Sequence, residues 1–255
     1  VVLTINLLIL IYWIIKKKWW IIIPIATILL NSGYLASIFQ VTISSSKLPD
    51  GKIPIRIASY NAGKFKSWEH FETQYYISEF LKNDKANIIC FQEYRENTKI
   101  NADTLSRLLN CPHHAIAYLP GSTTLGTGIF SKYPILQFGK IPLASQTNDA
   151  MWVDIQTGET RIRIISCHLQ TTNFSKKRRL LDDPVLQNAD IQQVEDVVTD
   201  ISQELAQNFK IRATQAQIVR QVIDTTRIPT IVCGDFNDTP SSYTYQYIKG
   251  DLKDS

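Results

Sequence analysis

Residues 231–240 read IVCGDFNDTP, so that three apolar residues lead through Gly234 to Asp235 and Asn237. Short apolar runs rich in β-branched residues that end at a glycine are typical of buried strands. A core does not accept an acid and an amide unless they are paired. Functional residues of α/β proteins gather on the loops that strands feed. This stretch therefore predicts a strand that delivers Asp235 and Asn237 to a site.

Three other strands end in the same way. Asn61 follows the apolar run at 53–59, Glu93 follows the run at 87–91, and His168 ends the run at 160–168. A lone glutamate after a strand is usually a solvated loop residue, and a lone histidine is usually structural. Four strand ends that all carry acid, amide or imidazole groups favour a shared site over four unrelated loops.

The rest of the pattern alternates between strands and helices. Residues 151–156 and 160–168 flank Thr157–Gly158 and predict a β-hairpin. The apolar spacing of three and four residues from Ile191 to Leu205 predicts an amphipathic helix, and 213–223 predicts a second one. Hairpins mixed with strand–helix–strand units indicate an α/β body whose sheets are covered by helices.

Five blocks together make the chain resemble the endonuclease/exonuclease/phosphatase superfamily, which has the deoxyribonuclease I-like fold. They occur in the family's order over roughly 53–240 and read RIASYNAGKF, IICFQEY, GTGIFSKYPI, IISCHLQT and IVCGDFNDTP. The combination is much more specific than any one block. The resemblance implies a four-layer α/β/β/α sandwich that hydrolyses phosphoesters with a divalent metal, and the N-terminal segment is similar to that of membrane-attached bacterial members.

The resemblance also assigns roles to single residues. Glu93 matches the principal metal-binding carboxylate, with Asn61 beside it as a ligand or supporting amide for Mg²⁺, or alternatively Mn²⁺. Asp235 matches the acid that orients or activates the attacking water. Asn237 matches a residue that hydrogen-bonds the phosphate or holds that water, and His168 matches the histidine that donates to a phosphoryl oxygen or to the leaving group. Attack on an anionic phosphodiester needs charge neutralisation, an aligned nucleophile and a proton donor, which these residues supply.

One part of the family pattern is missing. The family ends in a late aspartate and a Ser-Asp-His block, whereas the domain predicted at 53–255 ends in DLKDS. Because the chain also begins with Val1 rather than Met, we expect it to be truncated at both ends and to lack the last strands of one sheet. The alternative is a shortened, catalytically inactive binding domain.

The N-terminal residues have a different character from the rest of the chain. Residues 1–15 and 21–41 are uncharged and mostly apolar, and three lysines, Lys16–Lys18, separate them. Runs of this length predict a two-helix transmembrane hairpin over 1–43, although buried core helices are the alternative. The polar segment 44–52 is the expected linker. Lysines at the turn face the cytoplasm by the positive-inside rule, which places the catalytic domain on the periplasmic or extracellular side.

Charge limits the choice of partner without naming it. The chain carries 27 basic and 23 acidic residues, a formal net charge of +4. The overall basic excess of a strong polyanion binder is absent, although Lys176–Arg179 form a local basic run. The expected substrate is a phosphoester in nucleic acid, with a phospholipid or inositol phosphate as the alternative. The membrane is the other expected partner, and no obligate protein partner is evident.

Overall fold

The computed structural model describes residues 2–34, 54–66, 73–172 and 191–254. The chain divides into two compact units, one made of Val1–Asp50 with Pro240–Ser242 and the other of Gly51–Thr239 with Tyr243–Ser255. All the strands described below belong to the second unit.

The N-terminal unit contains two short apolar helices. They are α1 (Val2–Ile15) and α2 (Ile22–Leu30), and a 3₁₀ turn at Trp19–Ile21 follows the three lysines. Among the described residues, no helix combines the length and the apolar character that crossing a bilayer requires. The predicted second span continues to residue 41, so its last part lies outside the described residues. The predicted linker at 44–52 lies outside them entirely.

Two four-stranded sheets form the body of the second unit. The first sheet has the order β1-β2-β4-β3. Its strands are β1 (Ile57–Asn61), β2 (Ile88–Arg95), β3 (His113–Tyr118) and β4 (Leu125–Ser131). Here β1 and β2 are parallel, whereas β4 runs antiparallel to both β2 and β3.

The second sheet has the order β5-β6-β7-β8. Its strands are β5 (Ile135–Ile141), β6 (Asp149–Thr157), β7 (Thr160–His168) and β8 (Thr230–Asp235). The predicted hairpin is confirmed as β6 and β7, which pair from Thr157–Thr160 at the turn to Asp149–His168 at the far end. The last pair, β7 with β8, is parallel.

Three apolar cores fill the spaces between four layers. Residues of β2 alternate between two of these cores: Ile88 and Cys90 face the other sheet, while Ile89 and Phe91 face the helices. This period of two buries both faces of the strand, which explains its continuous apolar run. The third core lies between the second sheet and its helices. The predicted α/β sandwich is thus confirmed for this unit.

Within the part of the chain that the structure describes, four helices cover the outer faces of the sheets. They are α3 (Thr73–Asn83), α4 (Ala102–Leu109), α5 (Ile191–Thr225) and α6 (Tyr243–Lys249). Leu81 and Leu105 carry α3 and α4 into the core of the first sheet, and Val219 and Ile248 carry α5 and α6 into the core of the second.

One helix prediction is wrong in extent. The helices predicted at 191–205 and 213–223 are a single helix of 35 residues, α5. The intervening residues 206–212 contain neither Gly nor Pro, so nothing in the chain stops the helix. The apolar period does change there, because the first half is largely exposed and only the second half packs on a sheet.

Gly234 allows β7 and β8 to approach each other directly before the predicted site. Its φ of 139° is one that side-chain-bearing residues avoid, and a Cβ at this position would lie 2.0 Å from the carbonyl oxygen of Cys167. Both atoms are held by strand pairing, so neither can move aside cheaply. The strand that ends in Asp235 therefore requires glycine here.

Gly234→Ala is expected to lower the free energy of unfolding by at least about 3 kcal/mol. The added Cβ on β8 would clash with backbone atoms of Cys167 on β7, and strand pairing holds both segments in place. Gly158→Ala is the matched control, since Gly158 also has a positive φ, 60°, but has nothing within 4 Å of its Cβ position. That control should cost only about 1–2 kcal/mol. Urea unfolding of both variants measures the difference, and equal costs would contradict the packing argument.

Candidate active site

Three acid and imidazole groups form one row across the second sheet. His168 pairs in register with Asp149 on β6 and with Asp235 on β8. Directly opposed residues in neighbouring strands place their side chains on the same face. Because β7 and β8 run parallel, both end at the same edge of the sheet, which brings the two predicted residues His168 and Asp235 together.

A β-bulge presents Glu93 from the first sheet. The register of β2 against β4 shifts between Phe91 and Tyr94, and Glu93 has a φ of 48°. Bulges redirect side chains and occur next to active sites, and a left-handed conformation at a non-glycine residue costs energy that the surroundings must offset. Phe65 supports the bulge, since its ring packs edge-on against Phe91 at 5.4 Å and Tyr94 at 5.9 Å.

Asn61 connects the two sheets at the site. Its Nδ2 donates to Oδ2 of Asp235 at 2.9 Å and lies 3.5 Å from Oε1 of Glu93. Its Oδ1 accepts from the backbone N–H of Gly63 at 3.0 Å, which fixes the orientation of the amide. The Nε2 atom of His168 lies 3.8 Å from Oε1 of Glu93. Residues from four different strands are therefore within a few ångströms of one another.

These groups line a cavity of about 480 Å³. All five residues predicted from the sequence contribute to its wall: Asn61, Glu93, His168, Asp235 and Asn237. The structure thus brings them together, and their individual chemical roles remain predictions. The basic run Lys176–Arg179 lies outside the described residues.

Asn237 has a more constrained position than the sequence suggested. Its backbone N–H donates to Oδ1 of Asp235 at 2.9 Å, and its Nδ2 donates to the carbonyl oxygen of Leu169 at 2.9 Å. Its φ of 49° shows that the chain turns sharply there. Asn237 therefore ties the loop after β8 to the loop after β7, in addition to facing the cavity.

Ten further wall residues were not assigned from the sequence, and four of them are polar or charged groups that interact with the predicted site residues or their loops. Lys64 and Gln170 lie inside the quoted blocks, so the blocks themselves were the available signal. Asn148 and Asp149 stand at the beginning of β6 rather than at the end of a strand. Because β6 is antiparallel to β7, its start meets the end of β7, which a search of strand ends alone cannot find.

Lys64 is the cation beside the Glu93 carboxylate. Its Nζ lies 4.0 Å from Oε2 of Glu93, and its backbone has a positive φ of 62°. The pair is partly exposed, so it contributes little to stability. The placement instead provides a positive charge at the wall of a cavity to which Glu93, Asp149 and Asp235 contribute carboxylates.

The donor set fits a hard divalent cation. Glu93 has no hydrogen bond shorter than 3.5 Å within the described residues, so its oxygens are free for a stronger partner. Asp235 is a nearby oxygen donor, whereas Asn61 presents its Nδ2 to both carboxylates and its oxygen to Gly63, which suits a supporting amide. No group of three or more His, Cys, Asp or Glu residues in the described ranges is arranged to hold a metal alone. Mg²⁺ does not need one, since it commonly takes one or two carboxylates and keeps water and substrate oxygens.

Comparison with known proteins identifies the family. The description "Endonuclease/Exonuclease/phosphatase family" matches residues 58–255, and the chain belongs to this family. Members of the family act on phosphoesters. No curated protein sequence matches the chain.

Solved structures resemble the chain at low sequence identity. A beta toxin from Staphylococcus aureus shares 16% identity with a TM-score of 0.51, over 78% of this chain and 71% of that one. The human Nocturnin catalytic domain with a bound sulfate anion shares 17% with a TM-score of 0.50, over 77% and 70%. Sphingomyelinase C from Streptomyces griseocarneus shares 16% with a TM-score of 0.48, over 77% and 68%. The likeness to the first two shows the fold alone.

Asp149 is a residue of the cavity wall whose carboxyl group has a raised pKa. Burial raises the pKa of its carboxyl above the ordinary 3.8, although the hydroxyl of Thr127, the charge of His168 and Lys140 oppose this. Oδ1 accepts from Thr127 Oγ1 at 2.8 Å, whereas Oδ2 is buried and has no hydrogen-bond partner in the described ranges. The folded state therefore binds the proton more tightly than the unfolded state.

A carboxyl whose folded pKa is raised contributes stability below its unfolded pKa and loses it as pH rises through the folded value. Asp149→Asn removes this titration while keeping an oxygen acceptor for Thr127. We expect the variant to gain stability relative to the parent on going from pH 3.5 to pH 7, as measured by urea unfolding. An unchanged difference between the two proteins at both pH values would contradict the raised pKa.

Proposed function

We propose that the chain is a membrane-attached, divalent-metal-dependent phosphoester hydrolase of the phosphodiesterase or endonuclease type. One observation carries the proposal: Glu93, Asn61, His168 and Asp235 meet at one cavity although they come from two different sheets. Membership of a family of phosphoester hydrolases supports it. A structural role does not require four polar strand ends to converge.

Glu93, assisted by Asn61, would hold Mg²⁺ or Mn²⁺ at the cavity wall. A metal bound there supplies charge neutralisation and polarises the phosphoryl oxygen. The carboxylate of Glu93 is half-buried and lacks a strong internal partner, which suits a ligand that must exchange substrate oxygens.

Asp235 would orient the attacking water. Its Oδ1 and Oδ2 are each held by one hydrogen bond, from Asn237 N–H and Asn61 Nδ2, which fixes the carboxylate while leaving acceptor lone pairs on both oxygens. A fixed acceptor holds water in line for attack, as positioning requires. Asn237 shares this loop and would contact the phosphate.

His168 would donate a proton or a hydrogen bond to a phosphoryl or leaving oxygen. Its side chain is buried, with Nε2 directed toward Glu93 and therefore toward the metal-binding wall. An imidazolium donor placed on this side of the cavity neutralises the charge that develops when the phosphorus–oxygen bond breaks.

A second substrate class is a lipid or inositol phosphate. The apolar helices α1 and α2 expose large side chains, among them Leu8, Ile15 and Leu30, as membrane attachment would require. An enzyme held at a bilayer meets phospholipid head groups at high local concentration. A catalytically inactive, membrane-attached binding domain is the remaining alternative from the sequence.

Glu93→Gln and His168→Ala are each expected to reduce Mg²⁺-dependent phosphoester turnover by at least about 100-fold, since each removes a charge or proton donor from the reacting centre. Plasmid DNA, sphingomyelin vesicles and inositol phosphates serve as substrates. Glu159→Gln is the matched control, because Glu159 is exposed in the β6–β7 turn and should retain parental rates.

The outcomes separate the alternatives. DNA cleavage supports the nuclease assignment, whereas turnover of lipid or inositol phosphate alone supports the second class. No Mg²⁺-dependent turnover of any of the three by the parent protein would reject both enzymes and favour the binding domain. Parental rates in Glu93→Gln or His168→Ala would reject the residue roles.

The proposed topology places the catalytic domain on the periplasmic or extracellular side, with Lys16–Lys18 facing the cytoplasm. A protease added to intact cells, with the outer membrane permeabilised where there is one, should therefore digest the domain while a cytoplasmic reporter protein survives. Protection of the domain under conditions where a known external protein is digested would overturn the orientation.

A further inference from the structure

Arg212 of α5 contacts the two loops that follow the proposed catalytic residues His168 and Asp235. Its side chain is fully buried, with an exposed fraction of 0%. Nε donates to Oδ2 of Asp238 at 3.2 Å, and Nη1 donates to the carbonyl oxygen of Gln170 at 2.9 Å. One guanidinium therefore contacts the loop after β8 and the loop after β7 at the same time.

Two neighbours on α5 complete this contact. Asn208, Arg212 and Gln215 are spaced by four and three residues, so they share one face of the helix. The Oε1 atom of Gln215 accepts from the backbone N–H of Gln170 at 2.8 Å. The Oδ1 atom of Asn208 accepts from the side-chain Nε2 of Gln170 at 3.2 Å. The helix thus binds the backbone N–H, the carbonyl and the side chain of Gln170.

The preceding residue is anchored from the other side. The backbone N–H of Leu169 donates to the carbonyl of Asp235 at 2.9 Å. The carbonyl of Leu169 accepts from Nδ2 of Asn237 at 2.9 Å and from Nδ2 of Asn148 at 2.8 Å. All four backbone polar groups of the two residues after His168 are therefore satisfied by neighbouring elements.

Stability alone does not account for this polar face. Three of its donor atoms are buried without a partner among the described residues: Asn208 Nδ2, Arg212 Nη2 and Gln215 Nε2. Unsatisfied buried donors cost free energy, and a buried ion pair is often no more stable than apolar residues of similar volume. The same spacing of three and four residues leads from Leu205 to Asn208 and from Gln215 to Val219. Apolar residues are therefore compatible with this face of the helix.

We propose that Arg212 is a positioning residue that holds the loop after His168 against the loop from Asp235 to Asp238. It thereby fixes His168 relative to Asp235 across the cavity. The functional part of this inference rests on the proposed phosphoester hydrolysis. The mechanical part, in which α5 holds the two loops together, does not.

Arg212→Met keeps the side-chain volume and removes the fork of donors. Adding Asp238→Asn avoids leaving a buried carboxylate without its counter-charge. Arg212→Lys keeps the charge, but a single ammonium group cannot reproduce the guanidinium fork that serves both loops. The matched control is Arg220→Met on the same helix, because the hydrogen bonds of Arg220 within the described residues go to α6 carbonyls, Asp224 and Asp251 rather than to either loop.

We expect kcat to fall about 100-fold in Arg212→Met/Asp238→Asn, with KM changed by less than about 3-fold, because displaced catalytic groups lower the rate more than substrate affinity. Arg212→Lys should have an intermediate kcat. Arg220→Met should retain the parental kcat even if urea unfolding shows that it is equally destabilised. An Arg212→Met/Asp238→Asn variant as active as Arg220→Met would overturn the proposal.

Amide hydrogen exchange separates this inference from the proposed function. The N–H groups of Leu169 and Gln170 should lose protection in Arg212→Met/Asp238→Asn, while those of β6 and β7 keep it and Arg220→Met loses none in the loop. If the parent protein has no phosphoesterase activity, the proposed function fails, and exchange alone decides the mechanical part. Unchanged protection of Leu169 and Gln170 overturns that part whatever the activity.

Discussion

The parallel pairing of two strands in each sheet determines where the chemistry of this protein can occur. Sheet one pairs β1 with β2 and sheet two pairs β7 with β8, and every other pair is antiparallel among the described strands. Parallel neighbours end at the same edge, so each pair delivers two strand ends together. Asn61 then joins the two edges by its hydrogen bond to Asp235. The hydrogen bond from Gln92 on β2 to Ser166 on β7 and the apolar core shared by the two sheets hold the same two edges together.

This arrangement stores strain at the site and offsets it elsewhere. Glu93 and Asn237 both have left-handed backbone conformations, and both lie directly beside the cavity. Such conformations persist only where the surroundings determine them fully. The aromatic packing of Phe65 under the bulge provides this for Glu93, and the hydrogen bonds to Asp235 and Leu169 provide it for Asn237. The backbone conformations of Glu93 and Asn237 are unfavourable by themselves. Contacts with neighbouring residues therefore hold the site in place.

The sequence predicted much of this arrangement and missed parts for identifiable reasons. Apolar runs located the buried strands, because both faces of β2 and β7 are covered and need apolar residues. Polar strand ends located His168 and Asp235, because parallel pairing makes ends meet. Asp149 was not predicted, because it lies at the beginning of β6, and β6 is antiparallel to β7. The continuity of α5 was not predicted either, because Arg212 interrupts the apolar period that indicates a helix in the sequence. The partners of Arg212 lie in distant segments, so the sequence pattern does not reveal them.

The charges around the cavity bear on the proposed dependence on a cation. Among the described wall residues, Glu93, Asp149 and Asp235 are acidic, whereas Lys64 is the single lysine and no arginine is present. A raised pKa at Asp149 reduces the negative charge only partly. A phosphodiester anion that entered this wall unaided would meet repulsion in a poorly solvated space. In the proposed function, a divalent cation on Glu93 would offset that negative charge, so substrate binding and metal binding at this wall should depend on each other.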